Sequence, residues 1–291
     1  MLNSLPKLVC MRLLFISLLS PFFLFAQGKS PYAIFTKAGK KTSYAKLLRA
    51  AAQNEVVLFG EYHDNSVVHW LELELAKDLA AKTSLTLGAE MLEADNQSQV
   101  NAYLADKITQ KELDSTARLW PNYKTDYQPL VELAKLNSLP FIATNIPRKY
   151  ASLVYKKGLE ALLELPDQEK AWMAPLPIFY DANLPGYANM LAEMGGHGGE
   201  NLPKAQAIKD ATMAYFIAKN RKTNELFLHF NGSYHSDNFE GIGFYLKRAL
   251  PELKLITIST VTQADLNALA PENLSKADFI LVIDEDVVKT Y

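Results

Sequence analysis

Two short stretches bring chemically competent side chains together at a shared spacing. Gly60-Glu61-Tyr62-His63 and Gly232-Ser233-Tyr234-His235 each follow an apolar run, Val56-Val57-Leu58-Phe59 in the first case and Leu226 to Phe230 in the second. Glycine lets the backbone pass close to a ligand, and the imidazole three residues on is presented from the loop. Glu61 and His63 are two apart, so on extended chain they point the same way. His63, His235, Glu61 and Glu90 together make a ligand set for Zn²⁺, Mn²⁺ or Fe²⁺, with one carboxylate alternatively serving as the base for a bound water. Without a metal the same four groups suit general acid–base chemistry, one glutamate holding a histidine while the other stays protonated.

The elements that must position them are strands. Apolar runs starting at Glu55 and spanning 84–89, 139–144 and 225–230 read as buried parallel strands, and they stop at Glu61 and His63, Glu90, Asn145, and Asn231 with His235. Helical patterns over 65–82, 95–106, 127–137 and 204–219 alternate with them, which is the α/β signature. The expected fold is a mostly parallel central sheet flanked by helices, entered by a hairpin at 32–36 and completed by strands at 255–259 and 279–283. Parallel strands of one sheet place all four endings on one edge, where open α/β sheets bind ligands.

Several residues have plainer readings. His63 and His235 could cap their loops, His229 reads as a satisfied core histidine, and His69 reads as structural. In the helix 65–82, Glu72 falls with Glu74, Lys77 and Asp78 on the face opposite Val68, Leu71, Leu75 and Leu79. In the helix 204–219, Gln206 and Asp210 lie on a face that is otherwise apolar. A buried Asp210 needs a partner, and Arg148 after the third strand is the candidate, as a structural ion pair or for ligand positioning. The segment 108–125 reads as irregular. An insertion at about 160–203, rich in proline, aromatics and methionine with glycines around His197, reads as a functional lid or subdomain, or as a satellite core.

The composition bounds the class. With 291 residues, 49% of them hydrophobic, the chain can bury a large core. Residues 1–26 carry Lys7 and Arg12 and then an apolar run from Leu13 to Phe25, the pattern of a secretory signal peptide. Cys10, the single cysteine, precedes that run, so the expected mature protein has no disulfide or thiol chemistry. Removing two basic and no acidic residues takes the formal net charge from −2 to −4, which disfavours nucleic acid as a partner.

Taken in order, Gly60-Glu61-Tyr62-His63-Asp64, Gly88-Ala89-Glu90-Met91, Asn145-Ile146-Pro147-Arg148, Gly195-Gly196-His197-Gly198, Gln206 with Asp210 to Ala214, and Asn231 to His235 resemble the ChaN-like haem-binding uptake proteins of the Tiki/TraB/erythromycin-esterase superfamily. The resemblance implies an exported, iron-regulated bacterial protein, periplasmic or associated with the outer membrane. Its implied role is to bind haem for haem or iron acquisition, as a possible homodimer working with outer-membrane transport components. It also implies a fold shared with hydrolases, in which the Gly-x-x-His motifs and glutamates form a metalloprotease centre or activate water. No lipobox precedes a usable cysteine here. On the haem reading, Tyr187 or His197 of the insertion would supply an axial ligand, and Asn145, Arg148, Gln206, Asp210 and Asn231 would line the site. The rival is a metal-dependent hydrolase centred on Glu61, His63, Glu90 and His235.

Overall fold

Short β-branched and aromatic runs set the strands, and amphipathic stretches between them set the helices. In the computed structural model of the protein, which describes residues 29–193 and 199–290, the chain opens with β1 (Tyr32–Thr36), β2 (Lys41–Thr42) and α1 (Tyr44–Ala51). Next come β3 (Val56–Glu61), α2 (Ser66–Ala80), β4 (Leu85–Glu93), α3 (Gln97–Leu104), α4 (Gln110–Thr116), α5 (Gln128–Leu136) and β5 (Phe141–Asn145). The second half runs through α6 (Arg148–Lys157), α7 (Asp167–Lys170), α8 (Pro185–Glu193), α9 (Asn201–Asn220), β6 (Leu226–Gly232), α10 (Ile242–Ala249), β7 (Leu255–Gln263) and β8 (Phe279–Asp284). The expected signal segment and His197 lie outside the described residues.

The eight strands form one sheet in the order β2-β1-β8-β7-β3-β6-β4-β5, parallel from β8 to β5 and antiparallel at β1 and β2. From β3 the chain winds outwards through β4 to β5, returns to fill the place between β3 and β4 with β6, then winds through β7 to β8 on the other side. That reversal is a topological switch point, which opens a crevice outside the carboxyl ends of the central strands. β3 and β6 are neighbours with Gly60 opposite Asn231 and Glu61 opposite Gly232, so the two Gly-x-Tyr-His motifs lie side by side.

Alternating side chains of the central strands feed two layers. Val57, Phe59, Leu87, Leu228 and Ile258 pack with α2 and α5 on one face, while Val56, Leu58 and Phe227 pack with α9 and α10 on the other. A further cluster joins Tyr150 and Val154 of α6 to Met173 of the insertion and Ile208 of α9, so part of the aromatic and methionine content there is a satellite core. Among the described residues no helix is long and apolar enough to cross a membrane.

The structure departs from the sequence expectation at three places that shape the site. β4 continues past Glu90 to Glu93, and its pairing with β5 shifts register between Ala89 and Glu93. A shift of this kind re-aims side chains locally. The supposedly irregular stretch contains α4, closed by a Thr109/Glu112 capping box, and a wide helical turn at Tyr123–Tyr127. Glu72 is not on a polar face of α2: it is fully buried beside His69, facing the sheet.

Candidate functional site

The four strand endings meet as the sequence implied. Glu61, His63, Glu90, Asn145, Arg148, Tyr187, Gln206, Asp210 and His235 line a single cleft of about 1150 Å³ at the carboxyl edge. Asn231 does not reach it. Its carbonyl oxygen faces His229 Nδ1 at 3.0 Å, and its amide nitrogen donates to Gly232 O and Ser236 Oγ. Asn231 thus braces the turn beneath the cleft, and His229, which also contacts Thr144 Oγ1 at 2.7 Å, is the satisfied core histidine expected. Burial draws the pKa of His229 down to about 4, so it is neutral.

The first half of the site is built from β3. Glu61 is fully buried, and its Oε1 lies 2.5 Å from His63 Nδ1 and accepts from Tyr127 OH at 2.8 Å. Burial alone would raise this carboxyl, but the contacts with His63 and His69 outweigh it and hold the pKa at about 2. The His63 ring is part-exposed, with Trp120 edge-on to it at 4.8 Å. Burial would lower its pKa, yet Glu61 and the nearby charge of Glu90 hold it above the usual range. Nε2, the other nitrogen, makes no hydrogen bond to the described residues and lies over Gly232, where a Cβ would come within 2.8 Å of it. Gly232 has φ −54°, which any residue adopts, so glycine is required there for space rather than for backbone conformation. At Gly60 the demand is close approach: a Cβ would sit 2.9 Å from both Ile258 O and Ser233 Cα.

The second half joins β4, α9 and the turn after β6. Glu90 accepts from Gly232 N at 2.8 Å and faces His235 Nε2 at 3.1 Å, while His235 Nδ1 lies 2.5 Å from Asp210 Oδ1. With a carboxylate on each nitrogen, His235 is an imidazolium; burial opposes this, but the two charges raise its pKa to about 9. Glu90 is correspondingly held well below the usual carboxylate range despite complete burial. Both His235 nitrogens are thus engaged by carboxylates within the protein. The expected quartet is two separate ion pairs rather than one ligand shell. Among the described residues, the ligand atoms that do converge belong to Glu61, His69 and Glu72.

Two further expectations change. Asp210 is partnered by His235 and by Tyr187 OH at 2.8 Å, not by Arg148, which is exposed at the cleft wall. Tyr187 is buried and donates its hydroxyl to Asp210, with burial and that negative charge raising its pKa far above the usual phenol value. A phenol so engaged is not presented as an axial ligand; Tyr187 instead orients Asp210. Gln206 lines the cleft with its amide nitrogen 2.9 Å from His235 Nδ1.

Behind His63 stand His69, which the sequence marks as structural, Glu72, which it places on the polar face, and Asn122, Asp126 and Tyr127, which it does not single out. His69 Nδ1 lies 3.2 Å from both Glu61 Oε2 and Glu72 Oε2, while Nε2 lies 3.1 Å from the His63 carbonyl. Asn122 donates to that same carbonyl at 3.0 Å and to Asp126 at 2.8 Å. A signal was present: Glu72 is four residues after Val68 and three before Leu75, the spacing of the apolar face. The cleft also holds cations. Lys289 pairs with Asp64 at 2.7 Å and Lys276 with Asp237 at 3.6 Å, whereas Arg148 and Lys209 have no ion-pair partner among the described residues.

The comparisons agree with this architecture. A family model described as "Haem-binding uptake, Tiki superfamily, ChaN" matches residues 47–246. The structure described as cofacial heme binding to ChaN of Campylobacter jejuni superposes with TM-score 0.63 at 17% identity, covering 87% of this chain and 96% of that one. A succinoglycan biosynthesis protein superposes with TM-score 0.53 at 13% identity, covering 84% and 92%. At these identities both show the fold alone. Protein RETICULATA-RELATED 5, chloroplastic, from Arabidopsis thaliana is 26% identical over 200 residues, 62% of this chain. The chain spans only about a quarter of the length of that curated relative, 26% of it. With the family match extending from α1 to α10 and taking in both Gly-x-Tyr-His motifs, the chain belongs to the haem-binding uptake family of the Tiki superfamily, ChaN.

Proposed function

We propose that this is an exported protein of bacterial haem or iron acquisition that carries haem in the cleft at the carboxyl ends of β3, β6 and β4. The carrying observation is His63. Its Nδ1 is held 2.5 Å from a buried carboxylate while Nε2 faces the cleft without a partner among the described residues. An imidazole fixed from behind by a carboxylate, with its outer nitrogen presented, is arranged to ligate iron once that nitrogen loses its proton.

The surroundings support the same ligand. Tyr62, Trp120, Ile146 and Met190 line the cleft with apolar groups, and Arg148 and Lys209 offer charge to the porphyrin carboxylates. Asn145 lines the cleft, and its buried Oδ1 makes no hydrogen bond within the protein. The cleft volume of about 1150 Å³ lies just above the roughly 300–1,000 Å³ common for small-ligand pockets. In this reading His197 of the insertion is a second candidate axial donor, and the insertion, whose α8 lines the cleft, is the lid. Export through the 1–26 segment, pairing of two copies and transfer to outer-membrane transport components complete the proposal.

Metal-dependent hydrolysis at Glu61, His63, Glu90 and His235 is the weaker reading. The four pair off as Glu61 with His63 and Glu90 with His235, and among the described residues the ligand atoms that converge belong to Glu61, His69 and Glu72. Haem titration of chelator-treated protein, followed by absorption, tests the proposal. A saturable Soret shift is expected, and a shift that never saturates contradicts it.

A further inference from the structure

Behind the cleft floor, on the helix side of β3, lies a cluster that shares only Glu61 with the haem reading. Glu61, His69 and Glu72 are all buried, and one ligand atom from each lies within 4.8 Å of the others. His69 Nδ1 faces two carboxylate oxygens at once, Glu61 Oε2 and Glu72 Oε2, each at 3.2 Å. A single N–H points to one acceptor well, and charge-assisted contacts of this kind close to about 2.7–2.9 Å when satisfied. Here both stay long, and two oxygens, Glu61 Oε2 and Glu72 Oε1, make no hydrogen bond in the protein. On the other side of the ring, His69 Nε2 lies 3.1 Å from the His63 carbonyl and 3.5 Å from Asp126 Oδ2.

We propose that Glu61, His69 and Glu72 bind a divalent transition cation such as Zn²⁺ or Mn²⁺ in a closed site behind His63. Against the effect of burial, the carboxylates around His69 raise its pKa to about 11, so the ion binds in exchange for the Nδ1 proton. Two carboxylates and the imidazole then balance its double charge, and mixed oxygen and nitrogen donors suit these cations. The supporting contacts are those a metal-bound histidine uses: His69 presents Nδ1 to the cluster while Nε2 donates to the His63 carbonyl at 3.1 Å. His69 and Glu72 are three apart on α2, so one turn of a helix carries both donors and β3 supplies the third. Glu61 would then bridge, Oε2 on the ion and Oε1 on His63 Nδ1 at 2.5 Å, so occupancy acts directly on the histidine that faces the cleft. This set is not the strand-end quartet, and it stands whether or not the cleft takes haem.

The test is metal binding read without haem. Chelator-stripped full-length protein is titrated with Zn²⁺ and with Mn²⁺ by calorimetry, and crystals of the zinc-loaded wild type are measured by anomalous diffraction. One equivalent bound and a single anomalous peak among Glu61, His69 and Glu72 are expected, with Glu72→Gln at least about a hundredfold weaker. No binding, unchanged affinity in Glu72→Gln, or a peak among His63, Glu90 and His235 overturns the proposal. The wild-type diffraction decides the matter even if the variant fails to fold.

Discussion

His63 Nδ1 lies 2.5 Å from Glu61 Oε1, and Glu61 is itself buried and held ionised by its neighbours. That carboxylate fixes which imidazole nitrogen is available to the cleft. Replacing it with the neutral isostere in Glu61→Gln keeps the shape but weakens the hold on the ring and lowers the basicity of Nε2. Haem affinity is expected to fall about 10–100-fold, the usual cost of losing a supporting contact behind a metal-bound histidine. Haem titration of the two proteins under identical conditions measures it, and equal affinities would show that Glu61 does not support a ligand.

Gly232 gives a steric test of the same region. A Cβ there would lie 2.8 Å from His63 Nε2, while the backbone conformation, φ −54°, accepts alanine. Gly232→Ala should therefore displace the imidazole and impair haem binding. Its stability should stay within about 1–3 kcal/mol of the wild type, the range for modest overpacking. A variant that binds haem as well as the wild type would place the ligand elsewhere.

How far the sequence carried can be judged from these positions. The four strand endings were legible because an apolar run that stops in Glu, His or Asn marks both the end of a buried strand and the edge on which it ends. Their adjacency, β3 beside β6 and β6 beside β4, was not legible, since strand order depends on long-range pairing that no local pattern encodes. The apolar neighbours of Asp210 mark it as buried, but the sequence points to the wrong partner. Arg148 is near in sequence to a strand end, whereas His235 and Tyr187 come to Asp210 only through the turn after β6 and the packing of α8 on α9. The layer behind His63 is hidden in the sequence because a charged Glu72 reads as solvent-facing although its position on α2 is that of the core face.

Tyr187→Phe separates an axial ligand from an orienting residue. The hydroxyl donates to buried Asp210 at 2.8 Å, so its removal leaves a carboxylate oxygen short of a partner. Stability measured by denaturant unfolding should drop by about 1–3 kcal/mol. The Soret position of the haem complex should not move. A shifted Soret band with unchanged stability would restore Tyr187 as the iron ligand.

The His235 cluster sets a pH window for stability. His235 has its pKa raised from 6.5 to about 9 by Glu90 and Asp210, so its contribution is complete below pH 6.5 and is lost as pH rises through about 9. Glu90 is shifted the other way, so its contribution is present above its ordinary value of 4.5 and is lost as pH falls. Within the window between these values both contributions are retained. The thermal midpoint of chelator-treated protein should fall between pH 6.5 and about 9, and His235→Gln should make that slope shallower, the remainder coming from His63 and His69, whose pKa values are also raised. The same slope in both proteins would assign the pH dependence to other groups.

The most direct measurement is haem titration of wild type and His63→Ala side by side, with absorption spectra recorded at saturation and folding checked by circular dichroism. Saturable binding by the wild type is expected, with both the spectrum and the affinity changed in a folded His63→Ala protein. Identical spectra and affinities in the two proteins would contradict haem ligation by His63.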